Sequence, residues 1–198
     1  MNEQDYGVFL SYLKEYLLPK DEEGLRKRLS DPNLSSLQKK KILRQLRLNN
    51  FSGEIILLAY CLMPNHFHFF IKQRSAGSID KFMNSLCTRY TMYFNRKYKR
   101  VGSLFQGVYK AVLVTSDAQF LHLSRYIHKQ ALALQGEALE PQPCSYPEYL
   151  GKRNTKWVHP EEVLAHFSST NHNLSYEAFV REEEDLVLIR DIILEEDL

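Results

Sequence analysis

Between Asp5 and Leu18 the apolar residues Val8, Phe9, Tyr12, Leu13 and Leu17 recur at three- and four-residue steps, the spacing of one helix face, and Pro19 ends the run. Residues 20 to 50 are charged and leucine-bearing; Asp31-Pro32-Asn33 breaks them, and Ser35 to Leu48 predicts a second helix. From Gly53 to Leu62 the pattern becomes an apolar run rich in Ile and Leu, read as a central strand. Met63-Pro64-Asn65 then turns the chain into a second strand, which predicts a hairpin. Ser78 to about Lys99 returns to helical period, with Ile79, Phe82, Met83, Leu86, Cys87, Tyr90 and Phe94 on one stripe, until Gly102 breaks it. Val108 to Val114 is β-branched enough for another strand, and Ser116-Asp117 caps a helix carrying Phe120, Leu121, Leu123, Ile127 and Leu132. A loop with three prolines, Gly136 to Pro147, closes this unit. Beyond Trp157, residues Glu161 to Phe167 and Tyr176 to Leu194 read as amphipathic helices, with Val163, Leu164, Phe167, Phe179, Leu186, Ile189 and Ile193 inward.

The order helix, strand, strand, helix, strand, helix predicts an α+β fold with helices on one face of an antiparallel sheet. Residues 1–150 form the expected main domain, with a helical insertion at about 20–50, and 151–198 form an acidic helical C-terminal extension. The 198 residues suffice for one core, and 44% hydrophobic with 12% aromatic content excludes a disordered chain. No apolar run reaches membrane-spanning length and the N-terminus lacks a signal-peptide pattern, so a cytoplasmic protein with no membrane partner is expected. The three cysteines, Cys61, Cys87 and Cys144, fit neither a disulfide framework nor a zinc knuckle.

The second strand carries His66 and His68. Alternate strand residues leave the same face, about 7 Å apart along the chain, so the two imidazoles point together while Phe67 and Phe69 enter the opposite face. Such a pair is either a metal clamp or two solvent-facing histidines. On the last long helix, Tyr126 and Gln130 stand four residues apart and share a face. Two imidazoles, an amide oxygen and a phenol around one metal ion would suit phosphoryl transfer, with the phenol attacking phosphorus. His128 points away from Tyr126 on that helix and reads as structural or phosphate-facing.

The net charge of +2 hides a division along the chain. From Lys72 to Lys110 there are nine basic residues against Asp80 alone, interleaved with Tyr90, Tyr93, Phe94, Tyr98, Phe105 and Tyr109. Cations for phosphates and rings for unstacked bases are what single-stranded nucleic acid requires, and Arg89, Arg96, Lys97, Lys99, Arg100 and Lys110 are the candidate contacts. The competing reading is a solvated helix face with its aromatics in the core. Lys39, Lys40, Lys41, Arg44 and Arg47 form a further basic cluster, while the nine acids from Glu177 onward could lie over the basic surface.

Met63-Pro64-Asn65-His66-Phe67-His68 resembles the histidine-hydrophobic-histidine (HUH) motif of single-tyrosine transposases. Tyr93-Phe94-Asn95-Arg96, the run from Gly102 to Ala111, and Arg125-Tyr126-Ile127-His128 resemble the REP-associated tyrosine transposases and their insertion-sequence relatives. Ser145 to Gly151 and Trp157-Val158 resemble that family's C-terminal extension, so the likeness runs from about residue 5 to 167. It implies a ferredoxin-like (RRM-like) sheet, a divalent Mg²⁺ or Mn²⁺ ion, and cleavage of single-stranded DNA beside a hairpin through a covalent 5′-phosphotyrosine. By the resemblance Tyr126 is the nucleophile, His66 and His68 are metal ligands, and Gln130 assists the metal. The family's first strand precedes the opening helix, whereas this chain starts almost at that helix, so either the start is truncated or the sheet loses a strand. Gln130 is closer to the insertion-sequence branch than to the Asn-Pro of the REP-associated members, and Val108 stands where arginine is frequent. The relatives leave monomer and homodimer both open, and DNA as partner implies a nucleoid-associated location. Two other readings stand beside the nuclease: a hairpin-binding protein of the same fold that does not cut, and a zinc hydrolase recruiting His122, His128, Glu161 or Glu162.

Overall fold

The computed structural model describes residues 2–133, 143–182 and 189–190. Its centre is β1 (Ile55–Leu62), buried at seven of its eight positions, which is the signature of a strand covered on both faces. β2 (Phe67–Gln73) pairs with it antiparallel, Ile55 opposite Gln73 and Cys61 opposite His68, with an irregularity between Leu57 and Ala59. The Met63 N–H donates to the His66 carbonyl at 2.9 Å and closes the expected turn. The other edge of β1 is taken by a short bridge rather than a full strand. There Cys61 faces Cys144, Leu62 N–H donates to Pro143 and Ser145 N–H donates to Tyr60.

Helices lie on both faces of this hairpin, not on one as the element order suggested. On the first face, α1 (Glu3–Leu17) and α4 (Ser78–Tyr98) pack Phe9, Leu13, Phe82, Leu86 and Tyr90 against Phe67, Phe69 and Ile71. Between them in sequence, α2 (Glu22–Leu29) and α3 (Ser36–Arg47) form the helical insertion. On the second face, α5 (Asp117–Ala133) joins Tyr126, Ile127 and Ala131 to Ala59, Cys61, Met63 and Phe70. The C-terminal segment adds Tyr149, Val163, Tyr176, Val180 and Ile189 to that second cluster through α6 (Tyr146–Tyr149), α7 (Glu161–Leu164) and α8 (Tyr176–Arg181). The expected helix to Leu194 is helical as far as Arg181; Leu186 and Ile193 lie outside the described residues.

Among the described residues the sheet has two strands, and the fuller ferredoxin-like sheet is not formed. Val108 to Val114 is the strand that fails to appear. It is irregular and leaves Val108 87% and Leu113 79% exposed, since β-branched residues favour a strand only where their side chains pack, and these do not.

Two buried polar groups tie the layers together. His128 is wholly buried, with Nδ1 2.7 Å from the Tyr176 hydroxyl and Nε2 2.8 Å from Ser145 Oγ. Burial pushes its pKa down to about 3, so it is a neutral structural group that fixes α5 to the C-terminal segment. Asp5, 0% exposed, accepts from the Asn2 N–H at the start of α1 and from Lys97 Nζ, Tyr93 and Tyr98 on or near the end of α4. Burial alone would raise its pKa; the hydrogen bonds from Asn2, Lys97, Tyr98 and Tyr93 outweigh burial and hold the carboxyl at about 2. The native state therefore binds this proton less readily than the unfolded chain. The stability from this cluster is complete above about pH 4 and is lost as pH falls towards 2. Asp5→Asn is expected to cost about 3 kcal/mol at pH 7 in urea unfolding, and its stability should fall less steeply than the native protein's between about pH 5 and pH 2.

Candidate active site

Strand alternation and the β1–β2 register put His66, His68 and Phe70 on the face covered by α5. The two imidazoles meet through their Nε2 atoms, 3.0 Å apart, with ring planes at 89°. Asn65 Oδ1 lies 2.7 Å from His66 Nδ1. An amide oxygen can only accept, so His66 carries its proton on Nδ1 and directs the Nε2 lone pair at His68. With that tautomer the 3.0 Å contact is His68 Nε2–H donating to His66 Nε2, and for the two rings to hold one ion His68 would first move its proton to Nδ1, leaving two converging lone pairs. No cluster of three or more His, Cys, Asp or Glu side chains suited to a metal forms among the described residues.

Tyr126 joins this pair from α5. Its ring lies edge to face with His68, centroids 5.9 Å apart, and is 5% exposed within the second core cluster. One chain thus sets the Tyr126 ring against His68, which in turn meets His66. Gln130 is half-buried one turn further along α5. The histidines considered as extra zinc ligands are otherwise engaged: His128 by Tyr176 and Ser145, and His122 by Arg125 at 2.7 Å. Glu162 pairs with Lys72 at 2.8 Å. Asn65 stands in the turn and in the histidine motif, yet the sequence assigns it no role; an amide immediately before a candidate ligand histidine is the available signal.

The six candidate DNA contacts divide. Arg89 is held 2.7 Å from Glu15 and stacks 3.8 Å over the Tyr12 ring, so it joins α4 to α1. Lys97 is 2.6 Å from the buried Asp5 carboxylate, and its pKa is raised by the hydrogen bonds from that cluster against the opposing effect of desolvation. Both are structural cations in this fold. Arg96, Lys99, Arg100 and Lys110 are exposed. Lys99 ends α4 in a left-handed conformation, φ 52°, beside the 41%-exposed Tyr98 ring. This basic end of α4 lies towards the histidine end of the sheet, since the following Phe105 ring packs 5.9 Å from Phe67.

No helix among the described residues is long and apolar enough to cross a membrane. Residues 33–130 match the family model described as "Transposase IS200 like", a span that includes the hairpin, α4 and Tyr126. No curated protein and no solved structure shows a significant match.

Proposed function

From the membership of residues 33–130 in the IS200-like transposase family, a family of DNA-processing enzymes, we propose that this protein nicks single-stranded DNA beside a hairpin and transfers the cut strand in transposition. The observation that carries the reading is the contact of the Tyr126 ring with His68, itself 3.0 Å from His66, within one chain. His66 and His68 would hold a divalent ion, Mg²⁺ or Mn²⁺, with Gln130 or phosphate oxygens of the DNA completing its shell. Bound there, the ion supplies polarisation of a non-bridging phosphate oxygen.

The chain's own groups do the rest. Asn65 fixes the tautomer of His66 and with it the direction of the pair. The Tyr126 oxygen attacks phosphorus, a tyrosyl P–O bond forms, the bond to the 3′ oxygen breaks, and the 5′ end stays on the protein as a phosphotyrosine. The phenol gives its proton to a base or to water during that attack, and the departing 3′ oxygen takes one up. Arg96, Lys99, Arg100 and Lys110 would hold the strand's phosphates and Tyr98 would offer a stacking ring. Monomer and homodimer would both be compatible with this arrangement, and DNA as substrate would put the protein in the cytoplasm at the nucleoid. The burial of Tyr126 favours one other reading, a hairpin-binding protein that does not cut, since the phenol reaches DNA only if its covering packing opens.

With Mn²⁺ and a labelled hairpin DNA carrying a single-stranded flank, the native protein should give a protein–DNA band that survives denaturant, and Tyr126→Phe should lose it while binding within about two-fold of native. Binding by the native protein with no such band supports the non-cutting reading; a band from the Phe variant removes Tyr126 from the mechanism. In calorimetric Mn²⁺ titrations, Asn65→Ala should weaken binding by about 10- to 100-fold and His68→Ala should abolish it.

A further inference from the structure

The helical insertion holds charge that this reaction does not use. From Glu22 to Arg47 there are eight basic residues, Arg26, Lys27, Arg28, Lys39, Lys40, Lys41, Arg44 and Arg47, against Glu22, Glu23 and Asp31. α3 itself has five cations and no acid. Its Ile42 is buried, and Lys20 caps its end by donating to the Leu46 and Leu48 carbonyls at 3.1 and 2.8 Å. This anchoring faces the remaining surface outward. Lys40, Arg44 and Arg47, spaced one helical turn apart, are exposed and line one shallow groove with Leu43 and Leu48. None of the three cations takes part in an ion pair among the described residues.

The surface differs in kind from the basic end of α4. Tyr98 and Phe105 accompany the cations there, whereas the large apolar side chains exposed on α3 are Leu37 and Leu43, with no ring. A single strand is held by phosphate contacts together with stacking on rings. A paired strand hides the faces of its bases, so its phosphate backbone is gripped by cations without stacking rings. The position differs as well. Asn49, just past α3, donates to Ser85 in the first half of α4, and Phe51 N–H donates to Tyr16 near the end of α1. The insertion therefore joins the fold at the Ile55–Gln73 end of the hairpin, and His68 lies opposite Cys61, six residues along β1. Six strand residues span about 20 Å, or roughly six base pairs of duplex at 3.4 Å each.

We propose that the Lys40–Arg44–Arg47 face of α3 is a second DNA surface that grips the phosphate backbone of a paired stem, apart from the single-strand surface near the histidines. The proposal rests on the reading of the protein as a hairpin-directed nuclease and names where the stem lies. Its test uses the full-length protein and the triple variant Lys40→Ala, Arg44→Ala, Arg47→Ala. Binding is read by fluorescence anisotropy from about 50 to 200 mM NaCl, with a ten-pair hairpin bearing a single-stranded flank and with the flank alone as probes. The variant should bind the hairpin at least about ten-fold more weakly at low salt. Its slope of log affinity against log salt should be shallower by about 2 to 3, near 0.9 for each lost phosphate contact. Affinity for the flank alone should stay within about two-fold, which also shows that the variant is folded. Unchanged hairpin affinity and slope overturn the proposal, and so does an equal loss on both probes. Because the readout is binding, a native protein that never forms the covalent adduct defeats the nuclease reading and leaves this surface standing.

Discussion

The pairing of Cys61 with His68 is the constraint on which the rest depends. With a side-chain period of two, a slip of one residue between β1 and β2 would send His66 and His68 into the face packed by α1 and α4. Phe67 and Phe69 would then turn towards α5. The register is held by apolar demand on both sides at once. Phe67 packs 5.4 Å from Phe9 on the first face, and Phe70 packs 5.0 Å from Phe120 on the second. The histidines thus owe their common direction to phenylalanines that take no part in the chemistry.

Holding a phenol against that pair is a separate problem, solved by fixing α5 about its own axis. His128, two residues from Tyr126 and turned away from it, is locked by hydrogen bonds to Ser145 and Tyr176. Arg125, 2% exposed, lies 4.4 Å over the Phe179 ring. The C-terminal segment acts here as a clamp on the helix that carries the phenol. Any motion exposing Tyr126 must carry this clamp along or leave buried polar groups without partners, at about 1–3 kcal/mol each.

What the sequence revealed was local. Helical period predicted α1 from Asp5 to Leu18 against an observed Glu3–Leu17, and α4 from Ser78 to Lys99 against Ser78–Tyr98. Alternation placed His66 and His68 together and Phe67 and Phe69 opposite them. The fate of each cation was not legible. Lys97 finds its partner 92 residues away in Asp5 and Arg89 finds its own 74 away in Glu15, and no spacing along the chain encodes either meeting. The same limit explains the second helical layer and the irregular course of Val108 to Val114. Both depend on which edges and faces the assembled sheet leaves open.

The bridge on the outer edge of β1 has a consequence for biosynthesis. Tyr60 there donates its N–H to Ser145 Oγ and accepts from the Ser145 N–H, 85 residues later in the chain. At ribosomal rates of about 5–20 residues per second, the strand waits roughly 4 to 17 seconds after it is made before that partner exists. Throughout that interval a nascent apolar strand has one side uncovered, so the hairpin is the part of this polypeptide most in need of a chaperone's protection during translation.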